Sequence, residues 1–143
     1  MMGPRLFAAL LTAAIAAAAV PAGAQEHAQA PTMMIEIYRI APGQHEAFLK
    51  EIARYDEANR LAGLPPRQLF VHSDGADWDF ILIQPAKTPP DKEAALDKAW
   101  KQLNLPSGAD FFLQFRRFVA EHTDTVAIGP TTAAAYLATR NQK

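Results

Sequence analysis

The sequence predicts an α+β fold: one domain on a four-stranded antiparallel sheet, with the element order β-α-β-β-α-(α)-β and a short helix after it. Three observations point there. Four short segments have the β-branched and aromatic composition of strands. Longer segments between them repeat apolar residues at helical spacing. An Asp-Gly pair, Asp74-Gly75, sits in a short polar connection between two strand-like runs and marks a hairpin.

The first 24 residues stand outside this fold. Residues 1–5 carry one positive charge, Arg5; residues 6–20 are almost wholly apolar and alanine-rich; Ala22-Gly23-Ala24 is a small-x-small cleavage pattern. This is the layout of a secretory signal peptide over 1–24. At about 15 residues its apolar run is short of the roughly 20 needed to span a bilayer. Cleavage after Ala24 predicts an exported protein of the bacterial periplasm, with no membrane partner once the signal is removed. Residues 25–32 (QEHAQAPT) are expected to be a flexible arm, 33–139 the single domain and 140–143 a tail.

Residues 33–40 (MMIEIYRI) form the first strand, apolar on both faces: Met33, Ile35 and Ile37 on one, Met34, Tyr38 and Ile40 on the other. Ala41-Pro42-Gly43 breaks it. Phe48, Leu49, Ile52 and Tyr55 then recur at helical spacing over 44–61, until Gly63-Leu64-Pro65-Pro66 stops the helix. Residues 67–72 (RQLFVH) and 78–84 (WDFILIQ) are the second and third strands. A second helix opens at Asp91 behind Pro89-Pro90, with the apolar stripe Leu96, Ala99, Trp100 and Leu103. Phe111, Phe112, Phe115, Phe118 and Val119 fall on one helical face, and Gln114, Arg116 and Arg117 on the other. That spacing predicts a third helix over 109–120, with Ser107 and Asp110 resembling a capping box. The last strand is 123–128 (TDTVAI), and Gly129-Pro130-Thr131 leads into an alanine-rich helix ending near Thr139.

Fourteen basic and fifteen acidic residues give a formal net charge of −1, and only Arg5 of the charged groups lies in the leader. Nucleic acid and anionic membranes both call for a basic surface, so neither is expected as a partner. The absence of cysteine excludes disulfides, thiolate metal sites and cysteine nucleophiles. An exported domain of this kind is stabilised by its core, which the periplasm permits.

The element order is the split βαβ arrangement of a ferredoxin-like domain, with the first and third strands central and the helices on one face. A sheet apolar on both faces needs cover on its open side, and a second copy of the chain supplies it. The hydrophobic first strand, the run Ala41-Pro42-Gly43 followed by Phe48, the helix, the hairpin and the third strand together resemble the dimeric α/β-barrel superfamily. That superfamily includes antibiotic-biosynthesis-type monooxygenases, stress-responsive barrel proteins, NIPSNAP-like proteins and haem-handling relatives. The resemblance covers residues 33–128 and implies a homodimer. Its haem-degrading members pair a first-strand Asn with a Trp and a His; the first strand here carries Glu36, Tyr38 and Arg39 instead.

Polar groups on a central strand must be satisfied or useful, which singles out Glu36 and Tyr38, two residues apart and so on one face. A pocket between sheet and helices would be lined by Tyr38, Trp78, Phe80 and Trp100, with Glu36 or His72 as the proton-transfer group and Tyr38 orienting a substrate. The competing expectation is an aromatic core, with Glu36 paired to an arginine across the dimer. His45, His72 and His122 lack metal-ligand spacing and are expected on the surface or at caps, and turn chemistry accounts for Asp74, Asp77 and Asp79 rather than calcium. Arg116-Arg117 are expected on a solvent face. No metal and no cofactor are expected. There is no phosphate loop, no nucleophile elbow and no catalytic pair, so the sequence favours a module that binds a small apolar molecule. The alternative is a cofactor-independent monooxygenase acting on an aromatic or quinol substrate.

Overall fold

A computed structural model describes residues 30–139. The expected signal peptide, most of the expected arm and the expected tail lie outside the described residues. Four strands, β1 (Thr32–Ile40), β2 (Gln68–Val71), β3 (Phe80–Pro85) and β4 (Val119–Ile128), form one sheet in the order β2-β3-β1-β4. All pairings are antiparallel, and β1 and β3 are central, as the split βαβ order requires. Four helices complete the chain: α1 (His45–Leu61), α2 (Pro90–Gln102), α3 (Gly108–Phe115) and α4 (Ala133–Ala138). None of the helices described is long and apolar enough to cross a membrane.

The Pro-Gly turn after β1 has a local cause. Gln44 N–H donates to Ala41 C=O at 2.9 Å, and Gly43 has φ +78°, which is the type II arrangement with Pro at the second position and Gly at the third. The chain thus reverses directly into α1. At the other end of α1, Gly63 adopts φ +69°, its N–H donates to Arg60 C=O and Leu64 N–H donates to Asn59 C=O, a Schellman stop. Between these ends α1 buries Phe48, Ile52, Tyr55 and Ala58. Phe48 and Ile52 meet Tyr38, Ile40, Phe80 and Leu82 of the sheet, while Tyr55 and Ala58 meet Ala99 and Leu105 in a second cluster.

The third helix and last strand depart from the sequence reading. The helix stops at Phe115, and β4 begins at Val119 rather than at residue 123. Ala41 N–H donates to Phe118 C=O, and Ile40, Arg39 and Tyr38 pair with Val119, Glu121 and His122 across a bulge. The exposed backbone of β1 therefore claims residues whose side chains keep helical spacing. Phe118 and Val119 still pack on the core, from the turn and strand. Ser107 caps α3 in position only, because its side chain makes no capping hydrogen bond.

Residues directly opposed across a strand pair share a face. Tyr38, Ile40, Phe80 and Leu82 are buried under the helices. The register puts Ile35 opposite Ile83 and Ile37 opposite Ile81, with Phe70 opposite Ile81 on the far side, so these residues line the open face. Phe70 is 49% exposed there.

Candidate functional site

The β1–β4 register sets Glu36 opposite Asp124 and Tyr38 opposite His122. All four side chains fall on the helix-covered face. Tyr38 is in the core, and its O–H donates to Glu36 Oε1 at 3.1 Å. The His122 ring stacks on the Tyr38 ring, with centroids 4.5 Å apart and planes 7° from parallel. His122 Nε2 lies 2.6 Å from Asp124 Oδ1. A second polar line approaches from the other edge of the sheet: Arg67 Nε donates to Gln84 Oε1 at 3.0 Å, and Gln84 Nε2 donates to Glu36 Oε2 at 3.1 Å. Glu36 is thereby oriented through both of its oxygens.

Over this polar floor stands α3. Its Phe111, Phe112 and Phe115, with Arg116 just beyond it, enclose with Glu36, Tyr38, His122 and Asp124 a cleft of about 660 Å³. Phe115 is fixed against Tyr38, Phe48 and Phe111 at ring separations of 5.7, 5.8 and 5.2 Å. Gln114, on the same helix, donates to Oε1 of the buried Glu51 of α1, which holds the phenylalanine wall over the sheet. Phe112 remains 62% exposed at the mouth.

Burial pushes the Glu36 carboxyl above its ordinary value, against the opposing pull of Arg67 and of the Tyr38 hydrogen bond, with Asp124 adding to the rise. Burial and the neighbouring Glu36 charge also raise the Tyr38 hydroxyl, so this group is a hydrogen-bond donor and not a phenolate at neutral pH. Glu36, His122 and Asp124 each offer one atom within 4.8 Å of the others, a set of one nitrogen and two oxygen donors able to hold a cation.

Glu36 and Tyr38 thus come together as strand alternation suggests, whereas His72 does not line their cleft. Its ring stands edge-on to Trp78 at 5.0 Å, with Nε2 buried and without a hydrogen-bond partner among the described residues. Of the expected lining residues, Tyr38 borders the cleft. Phe80 lies in the core against Phe48, and Trp100 packs on Tyr55 in the second cluster. The imidazole beside Glu36 is that of His122, which the register of β4 sets opposite Tyr38. The hairpin acids are engaged elsewhere: Asp79 Oδ2 accepts from Ile40 N–H at 2.6 Å, and Asp77 Oδ2 lies 3.1 Å from Arg39. Arg116 borders the cleft from the turn after α3 instead of from a helical solvent face.

No protein-family model matches the chain, and no curated protein matches it. Solved structures do. A NIPSNAP family protein from Agrobacterium tumefaciens is 16% identical, with a TM-score of 0.45 over 71% of this chain and 94% of that one. A Chloroflexus aurantiacus protein named for antibiotic biosynthesis monooxygenases is 23% identical, with a TM-score of 0.38 over 71% and 96%. A dimeric protein of unknown function and ferredoxin-like fold from Bacteroides fragilis is 10% identical, with a TM-score of 0.35 over 68% and 95%. The chain is similar to these proteins, and its own strand order carries the assignment of the ferredoxin-like fold.

Proposed function

We propose that this protein is an exported, homodimeric binding module whose cleft takes a small apolar molecule with one hydrogen-bond-donating end. The observation that carries this reading is the cleft itself: a wall of three phenylalanines faces a floor of acceptors, Glu36 and Asp124. Pockets for small molecules have this composition, mostly apolar with a few placed polar groups. The open apolar face of the sheet supports the dimer. The N-terminal charge, apolar run and Ala22-Gly23-Ala24 support export, and N-terminal sequencing of periplasmic material is expected to begin at Gln25. A chain beginning at Met1 in the membrane fraction counts against it.

N-phenyl-1-naphthylamine, neutral and apolar with one N–H donor, tests the cleft. Its fluorescence is expected to rise to saturation at one site per chain, and Phe112→Ala to weaken binding about 10-fold, the equivalent of 1.4 kcal/mol. Phe112 is exposed, so its truncation spares the core. Unchanged affinity in Phe112→Ala and Phe111→Ala removes the cleft as the site.

A second reading rests on the Tyr38–Glu36 hydrogen bond, which aims a carboxylate base at the cleft. A phenol deprotonated there would react with dioxygen to give a quinone and water, without a bound cofactor. It predicts oxygen uptake with phenol or quinol substrates that falls by about 10²–10⁴-fold in Glu36→Gln. Retained uptake in that variant removes Glu36 as the base.

A further inference from the structure

The cleft floor holds an electrostatic conflict. Glu36 and Asp124 are directly opposed across the β1–β4 pair, and like charges at directly opposed positions destabilise a sheet. Arg67 hydrogen-bonds to Gln84 rather than to Glu36, although its charge still acts on that carboxyl, and Arg39 is occupied by Asp77 and Glu121. Of the groups beside both carboxylates, His122 is the one that can carry positive charge or donate a lone pair. The chain thus brings two oxygen donors and one nitrogen donor within 4.8 Å of one another.

We propose that Glu36, His122 and Asp124 bind one divalent transition-metal ion of the zinc and manganese class at the floor of the cleft. The donor set selects that class. Calcium and magnesium take oxygen ligands, whereas imidazole together with carboxylates suits zinc, manganese or ferrous iron. Three protein ligands leave a coordination position open towards the phenylalanine wall, the arrangement of sites that present a metal to a small molecule. A supporting shell is already in place. Tyr38 O–H and Gln84 Nε2 orient the two Glu36 oxygens, each of which keeps a lone pair, and the stacked Tyr38 ring fixes the plane of the imidazole. On binding, the 2.6 Å contact between His122 Nε2 and Asp124 Oδ1 opens to the roughly 3.3 Å that separates two donors each about 2 Å from one tetrahedral ion. For Nε2 to face the metal with its lone pair, the ring proton of the neutral imidazole sits on Nδ1, reached by exchange with solvent.

The metal site shares Glu36 and Asp124 with the acceptor floor of the proposed cleft, but each reading has its own titration and the two fail separately. The purified protein, dialysed against chelator, is titrated with zinc chloride by calorimetry. One equivalent per chain is expected to bind, at least about 10-fold more weakly in Asp124→Asn and in His122→Ala, and unchanged in His45→Ala, whose imidazole also neighbours an aspartate. Cobalt(II) substitution supplies a second readout, a ligand-field absorption band that both ligand variants abolish. Asp124→Asn keeps the shape of the side chain and stands as the test if His122→Ala fails to fold. Absence of saturable zinc binding, or binding that Asp124→Asn leaves unchanged, overturns the site. The naphthylamine titration on the same samples shows whether the cleft reading survives that result.

Discussion

Asp79 ties three elements through one side chain and its own peptide group. Oδ2 accepts the Ile40 N–H at the end of β1, Oδ1 lies 3.3 Å from His45 Nε2 at the start of α1, and the backbone N–H donates to Tyr38 C=O. The Ile40 hydrogen bond, followed by the contact with His45 and the charge of Arg39, holds this carboxyl below its usual range. A depressed carboxylate stabilises the fold fully above the unfolded-state pKa, and that contribution is lost as pH falls through the lower folded value. Asp79→Asn is therefore expected to lose about 1 kcal/mol at neutral pH, less than the roughly 1.5–3 kcal/mol of a hydrogen bond to a charged group because the side chain is one-third exposed. The gap between the two proteins should close in acid. Urea unfolding at pH 7 and at pH values through the carboxylate range measures both, and a gap independent of pH refutes the assignment. At this scale Glu36 and Tyr38 were legible, since alternation on an apolar strand fixes their shared face. His122 and Asp124 were not, because their place beside Glu36 depends on which residue of the last strand meets which residue of the first. Glu51 was also silent in the sequence: a helical glutamate reads as solvated until Arg54 and Gln114 are seen to enclose it.

Among the elements, α1 was read correctly because every determinant of it is local: a Pro-Gly turn before it, an apolar stripe along it and a Schellman glycine after it. The hairpin between β2 and β3 is equally local, and α2 starts at Pro90, a residue suited to the first helical turn. The segment from Phe111 to Val119 shows what pattern alone misses. Its phenylalanines keep helical spacing throughout, yet the chain leaves the helix at Phe115 to supply the hydrogen bonds that the end of β1 lacks. Apolar side chains can reach one core from a helix, a turn or a strand, so their spacing does not distinguish the three. Backbone hydrogen bonding does, and the partner strand lies about eighty residues away in the chain.

For the whole molecule the open face of the sheet decides the next question. Ile35, Ile37, Ile81 and Ile83 line it together with the half-exposed Phe70. A contiguous apolar surface of this kind calls for cover, and the proposed homodimer would supply it. Light scattering at micromolar concentration is expected to show a dimer, and Ile83→Asp a folded monomer, since the substitution places a charge at the interface and leaves Leu82 and Phe80 in the core. A monomeric unmutated protein, or a dimer in Ile83→Asp, refutes this surface as the interface. Composition, turn chemistry and periodicity by themselves determined the fold class, the order of the elements, the central position of β1 and the shared face of Glu36 and Tyr38, because each follows from local pattern and element order. The tertiary structure alone decided the start of β4, the partnership of Glu36 and Tyr38 with Asp124 and His122, and the closing of the cleft by α3. Those follow from strand register and from helix-on-sheet packing, and both are settled by hydrogen bonds and contacts between residues far apart in sequence.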